Sequence, residues 1–128
     1  MEKASKSKLD YAQDTLTFAE LEAAVGFESK DNLRVRDAAE KAFLAITEAT
    51  DGLMMAHGQY PDPGPDVHHQ RRVYLDTIDR PDLRRDYNDF QNTLHGDCFY
   101  NGHCPTSEGF KKYLEGVRDY IRKVREMA

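Results

Sequence analysis

Tryptophan is absent, and cysteine occurs only at Cys98 and Cys104. Two cysteines are too few for the disulfide framework of a small secreted domain, so a hydrophobic core must hold the fold. Both are expected as thiols in a reducing cytoplasm; a Cys98–Cys104 bridge is conceivable but disfavoured there. Long apolar runs are missing too. The longest, from Ala42 to Ile46, is far too short to cross a bilayer, and no apolar stretch of the signal-peptide kind follows the lysine-bearing start. Nor is there a basic excess: 18 Lys+Arg stand against 23 Asp+Glu, for a net charge of −5. That balance excludes a surface built throughout to neutralise phosphates. No phosphate-binding glycine loop, Gly-x-Ser-x-Gly or His-Glu-x-x-His occurs. These absences leave a cytoplasmic chain of one domain, residues 1–128, with no membrane contact and no implied cofactor.

What is present is helical periodicity. Leu9, Ala12, Leu16, Ala19, Ala23 and Phe27 recur in steps of three and four, laying an apolar stripe along a first helix that Gly26 and Ser29–Asn32 end. A second helix is expected from Leu33 to Ala56, capped by Asp31 or Asn32; its many alanines imply close packing. The segment Gly58–Asp66 carries three prolines and must be a loop. A shorter helix follows from Val67 to about Thr77, and Pro81 opens another that carries Leu83, Tyr87, Phe90 and Leu94. Thr106 or Ser107 caps the last, with Phe110, Leu114, Val117, Ile121 and Val124 inward. Strand alternation has no convincing candidate. The expected fold is all-α, an antiparallel four-helix up-and-down bundle with an additional short helix. Tyr113 and Tyr120 flank the terminal stripe, which predicts an apolar face left over for a two-fold dimer.

The densest chemistry lies in Leu94-His95-Gly96-Asp97-Cys98-Phe99-Tyr100-Asn101-Gly102. His95 admits two readings. It is a general acid or base, since imidazole titrates near neutrality. Alternatively it finishes its helix by bonding a free carbonyl, with Gly96 as the left-handed residue beyond. Arg85 and Asn88 fall on roughly one side of the same helix and extend a polar surface toward His95, joined by Arg84, Tyr100 and Asn101 as binding candidates. His95, Cys98, His103 and Cys104 have poor spacing for a metal, and none is assigned. The arginines of the third, fourth and terminal helices are interleaved with acids, the pattern of solvated helix faces.

Ala38-Ala39-Glu40-Lys41-Ala42-Phe43-Leu44-Ala45, with the later Leu94-His95 and Phe99-Tyr100-Asn101-Gly102, resembles small HEPN-superfamily proteins of uncharacterised archaeal and bacterial type. The resemblance runs from about Leu9 to Val124. It implies a helical bundle that dimerises around a joint cleft and associates with nucleotides or RNA. HEPN ribonucleases carry an arginine followed, after four to six intervening residues, by the catalytic histidine. Here His95 matches the histidine, but that window holds Asn88, Asp89 and Phe90. Arg85 is the nearest arginine, about 15 Å from His95 along a continuous helix. The resemblance therefore implies three roles in order: a nucleotide- or RNA-binding homodimer; a metal-independent, toxin-like endoribonuclease pairing His95 with Arg85 across the dimer; and a non-catalytic module bound to a partner protein, as an antitoxin or scaffold.

Overall fold

The computed structural model describes residues 3–128. Five α-helices and one π-helix account for its regular structure: α1 (Lys3–Glu28), α2 (Asn32–Ala56), α3 (Val67–Thr77), α4 (Pro81–Phe90), the π-helix (Gln91–Tyr100) and α5 (Ser107–Met127). Among the described residues there is no strand. No helix is long and apolar enough to cross a membrane.

Local chemistry sets the helix limits. Asp31 caps α2 by accepting from the Arg34 backbone N–H at 3.2 Å, and Thr106 caps α5 by accepting from that of Gly109 at 3.2 Å. Pro81 opens α4, where its missing N–H costs nothing. Polar α1 residues before Leu9 are helical as well, because Ser5 is buried and its hydroxyl donates to the Gly52 carbonyl at 2.6 Å.

The largest helix interface joins α1 to α2. Ala12, Ala19 and Ala23 face Ala38, Ala42, Ala45 and Ala49, all within 4% of full burial. Two glycines permit still closer approach. A Cβ on Gly26 would stand 2.9 Å from Val35 Cγ2, and one on Gly52 would stand 3.0 Å from Leu9 Cγ. Gly26 therefore sits inside α1 as a contact point, and the helix ends later, where Lys30 adopts φ 55°. Buried side chains from every helix join one apolar core.

Three expectations are corrected. The helix does not stop at His95: it widens after Phe90 into a π-helix that runs on to Tyr100. Gly96 is helical, and Gly102 at φ 74° is the left-handed residue. Tyr120 is 1% exposed, its hydroxyl 2.7 Å from that of Thr50, and so belongs to the core. Finally, Cys98 and Cys104 are a disulfide, not thiols. The Gly102 turn reverses the chain and brings their Cα atoms to 4.1 Å, a proximity the linear spacing leaves open.

Candidate functional site

His95 is where the π-helix meets α2. Its ring Nδ1 lies 2.8 Å from both oxygens of Glu40. A carboxylate only accepts, so Nδ1 carries the hydrogen and donates it, which leaves Nε2 with a lone pair when the ring is neutral. The pair is partly open, with side chains 28% and 32% exposed. Phe43, one turn beyond Glu40 on α2, places its ring 5.5 Å from that of His95. Phe99 stacks on His95 at 6.0 Å, and the exposed Tyr100 meets it edge-on at 4.9 Å.

A second imidazole enters from the first turn of α3. His68 has its ring 6.5 Å from His95 and 5.6 Å from Phe43. Its Nδ1 faces two donors, the Tyr87 hydroxyl at 2.7 Å and Arg71 Nη1 at 3.2 Å. A guanidinium cannot accept, so Nδ1 must be the acceptor and the neutral ring holds its hydrogen on Nε2. Burial, then the charges of Arg71, His95 and Arg72, push the His68 pKa below its ordinary value. The two histidines thus hold opposite tautomers: Nε2 is a proton acceptor on His95 and a hydrogen-bond donor on His68.

Beneath them is a buried ion pair. Arg71 donates from Nε to Asp51 Oδ1 at 2.8 Å and from Nη2 to Oδ2 at 3.0 Å, the two-pronged geometry that suits a guanidinium. Burial lowers the Arg71 pKa, but the hydrogen bond to Asp51 and the nearby Tyr87 and Asp51 charges outweigh it and the net shift is upward. Burial, opposed by Arg71, pushes the Tyr87 hydroxyl up to about 12, so it stays protonated. Arg72, one position on, donates to Gln91 Oε1 at 2.7 Å. Arg36 closes the other side. Its Nε donates to the Phe99 carbonyl at 2.8 Å and its Nη2 to the Tyr100 carbonyl at 2.9 Å, satisfying carbonyls at the π-helix end. The disulfide anchors the same end.

Of the residues singled out in the sequence, His95 and Tyr100 come together. Asn101 follows directly, exposed, its N–H bonded to the Gly96 carbonyl at 3.1 Å. Asn88 is half-buried on α4. Arg84 pairs with Asp76 of α3 at 3.3 Å, and Arg85 is exposed. No hydrogen bond, ion pair or ring contact links Arg85 to His95 among the described residues. Sequence reasoning missed Glu40, His68, Arg71, Tyr87 and Arg36. Glu40 and His68 are 55 and 27 positions from His95, and only the packing of α2 and α3 against α4 and the π-helix reveals them.

A cavity lies elsewhere. A space of about 430 Å³ under the proline-rich loop is lined by Lys8, Asp51, Tyr60, Val67 and Arg71, so Arg71 separates it from His68. The His95–Glu40 pair is partly open, with the exposed Tyr100 beside it. Comparison with protein-family models, curated proteins and solved structures finds no match for the chain.

Proposed function

We propose that the chain is a HEPN-like antiparallel four-helix bundle with an additional short helix, a single domain acting as a homodimeric module that binds a nucleotide or single-stranded RNA at the His95 face. The observation that carries this reading is the open group of rings: His95, His68, Phe99 and Tyr100 offer stacking surfaces and two free imidazole edges, with Arg72 beside them. Stacking on exposed rings and charge from a few basic groups are how single strands are held without a deep pocket. Asn101 follows Tyr100 in the chain, and α4 offers Asn88 and Arg84 as further polar contacts for a longer strand. The disulfide bears on location. If the chain works in a reducing cytoplasm, Cys98–Cys104 forms only under oxidising conditions.

Anisotropy titration with a fluorescent single-stranded RNA tests the proposal. Tyr100→Ala is expected to weaken binding about 5- to 100-fold, the worth of one stacked base. Equal affinity in the wild type and in a Tyr100→Ala/His95→Ala double variant would overturn it, and leave a bundle that serves only a partner protein.

The opposed tautomers favour a second reading, metal-independent RNA cleavage. His95 Nε2, oriented by Glu40, takes the proton of a ribose 2′-hydroxyl; the oxygen attacks the adjacent phosphorus while His68 Nε2–H hydrogen-bonds a phosphate oxygen; the His95 imidazolium so formed then gives its proton to the departing 5′-oxygen. The products are a 2′,3′-cyclic phosphate and a 5′-hydroxyl. Here His68 of the same chain holds the phosphate by a hydrogen bond, whatever charge Arg85 of the partner subunit adds across a dimer. Cleavage lost in both His95→Ala and His68→Ala, with helicity kept, would support it; wild-type protein that leaves RNA intact would remove it.

A further inference from the structure

The first helix carries two apolar faces, and only one is used inside the chain. Ser5, Leu9, Ala12, Leu16, Ala19, Ala23 and Gly26 are buried against α2 and α5. A second row of Ala4, Ser7, Tyr11, Asp14, Phe18, Leu21, Val25 and Glu28 advances in strict steps of three and four, the heptad seam of a helix pair. At 3.6 residues per turn the two rows point roughly 150° apart, so the second faces away from the core. Its centre is exposed to an unusual degree: Tyr11 61%, Phe18 64%, Leu21 61% and Val25 44%. That is an apolar strip about 21 Å long, interrupted only by Asp14, and such strips mark contacts.

Charge indicates what covers it. Within the chain, Asp10 pairs with Arg125, Glu20 with Arg118 and Glu22 with Lys41. Lys3 and Lys6 at one end and Glu28 at the other have no such partner among the described residues. The helix has no acid in its first turn and no base in its last, so these end charges also oppose its dipole. A second copy laid antiparallel across the strip relieves both faults at once. It brings Lys3 and Lys6 level with Glu28 of the partner subunit, and Tyr11 level with Leu21 of the partner subunit. Parallel pairing would set lysine against lysine.

We infer that the outer face of α1 is the homodimer interface, formed by two copies of α1 packed antiparallel about a two-fold axis near the middle of the helix. This rests on the homodimer reading above and gives it a surface. It also changes the site. Among the described elements α1 touches only α2 and α5, none of the elements that carry His68, Tyr87 or His95. The dimer therefore holds two separate, outward-facing His95 sites, and each imidazole pair works with groups of its own chain rather than with Arg85 across a shared cleft.

Sedimentation of the full chain at tens of micromolar tests the inference. The wild type is expected as a dimer, and Phe18→Glu, at an exposed position that the fold does not need, should weaken it at least ~30-fold. Val73→Glu, a comparably exposed apolar site on α3, should leave it unchanged. Lys3→Glu/Lys6→Glu and Glu28→Lys should each weaken it several-fold, and their equimolar mixture should recover it. A dimer indifferent to Phe18→Glu would overturn the α1 interface and leave the homodimer standing. A wild-type monomer would overturn both, and one that bound anionic lipid vesicles through Phe18 would assign the strip to a lipid surface instead. RNA binding, read on the same samples with Tyr100→Ala, succeeds or fails separately.

Discussion

The two sides of α2 are built on different principles. Toward α1 it presents alanines, and the contact is made of shape: small side chains, two glycines and backbones that nearly touch. Toward α3, α4, the π-helix and α5 it presents Glu40, Phe43, Thr50 and Asp51, and the contact is made of rings, hydrogen bonds and one buried ion pair. A close-packed seam tolerates little change in volume but asks nothing of protonation. A polar network tolerates some looseness in volume, yet each member left unpaired is costly. Toward α1 the titratable groups are the Glu48 carboxylate held by Thr15 and the Lys41–Glu22 pair, whereas the second side brings two imidazoles, a phenol and a buried ion pair together.

Removing Asp51 tests that contrast most severely. Asp51→Ala leaves the Arg71 guanidinium buried without its carboxylate and should cost about 3–5 kcal/mol in chemical denaturation. A loss under 1 kcal/mol would mean that Arg71 swings out to water and the network is soft. On the alanine side, Gly26→Val drives a side chain into Val35 and should cost about 1–3 kcal/mol, by overpacking rather than by a lost bond. Tyr120→Phe is subtler. The Thr50 hydroxyl already donates to the Ile46 carbonyl at 2.8 Å, so Tyr120 is the donor in their bond. Its loss should cost about 1 kcal/mol with the helices intact.

The smallest effect concerns acidity. Native His68 has a pKa below its ordinary 6.5, so above that pH neither the folded nor the unfolded chain holds the proton and nothing changes. As pH falls below 6.5 the unfolded chain binds it first, and stability declines until the native value is passed. Denaturation midpoints measured from pH 7 downward should show this fall, and His68→Gln should lessen it. An unchanged slope in the variant would place the acid sensitivity outside the network.

Legibility in the sequence divides along the same line. The alanine side was readable because a helix declares its buried stripe in steps of three and four; the limits of α2, the Pro81 start of α4 and the Thr106 cap all follow from local signals. The ring side was half readable. His95 stood out for its neighbours, but Glu40 and His68 lie 55 and 27 positions away, and nothing in the local sequence ties either to it. Periodicity also misread the π-helix, because its wider turns depart from the 3.6-residue rule just where His95 lies. The disulfide was discounted on compartment, an argument blind to the turn at Gly102.

That disulfide joins positions only six apart, and a crosslink between such near neighbours removes little freedom from an unfolded chain. On chain entropy alone it is worth about 2–3 kcal/mol, nearly all of it spent on the stretch from Cys98 to Cys104. Reduction should therefore act as a local loosening at the end of the π-helix, not as denaturation: the alanine seam lies apart from it, whereas Phe99, Tyr100 and the carbonyls gripped by Arg36 sit on or beside the severed ring. A thiol reagent is thus a dial for one corner of this molecule, and any spectroscopic change it causes can be assigned to that corner before a single residue is mutated.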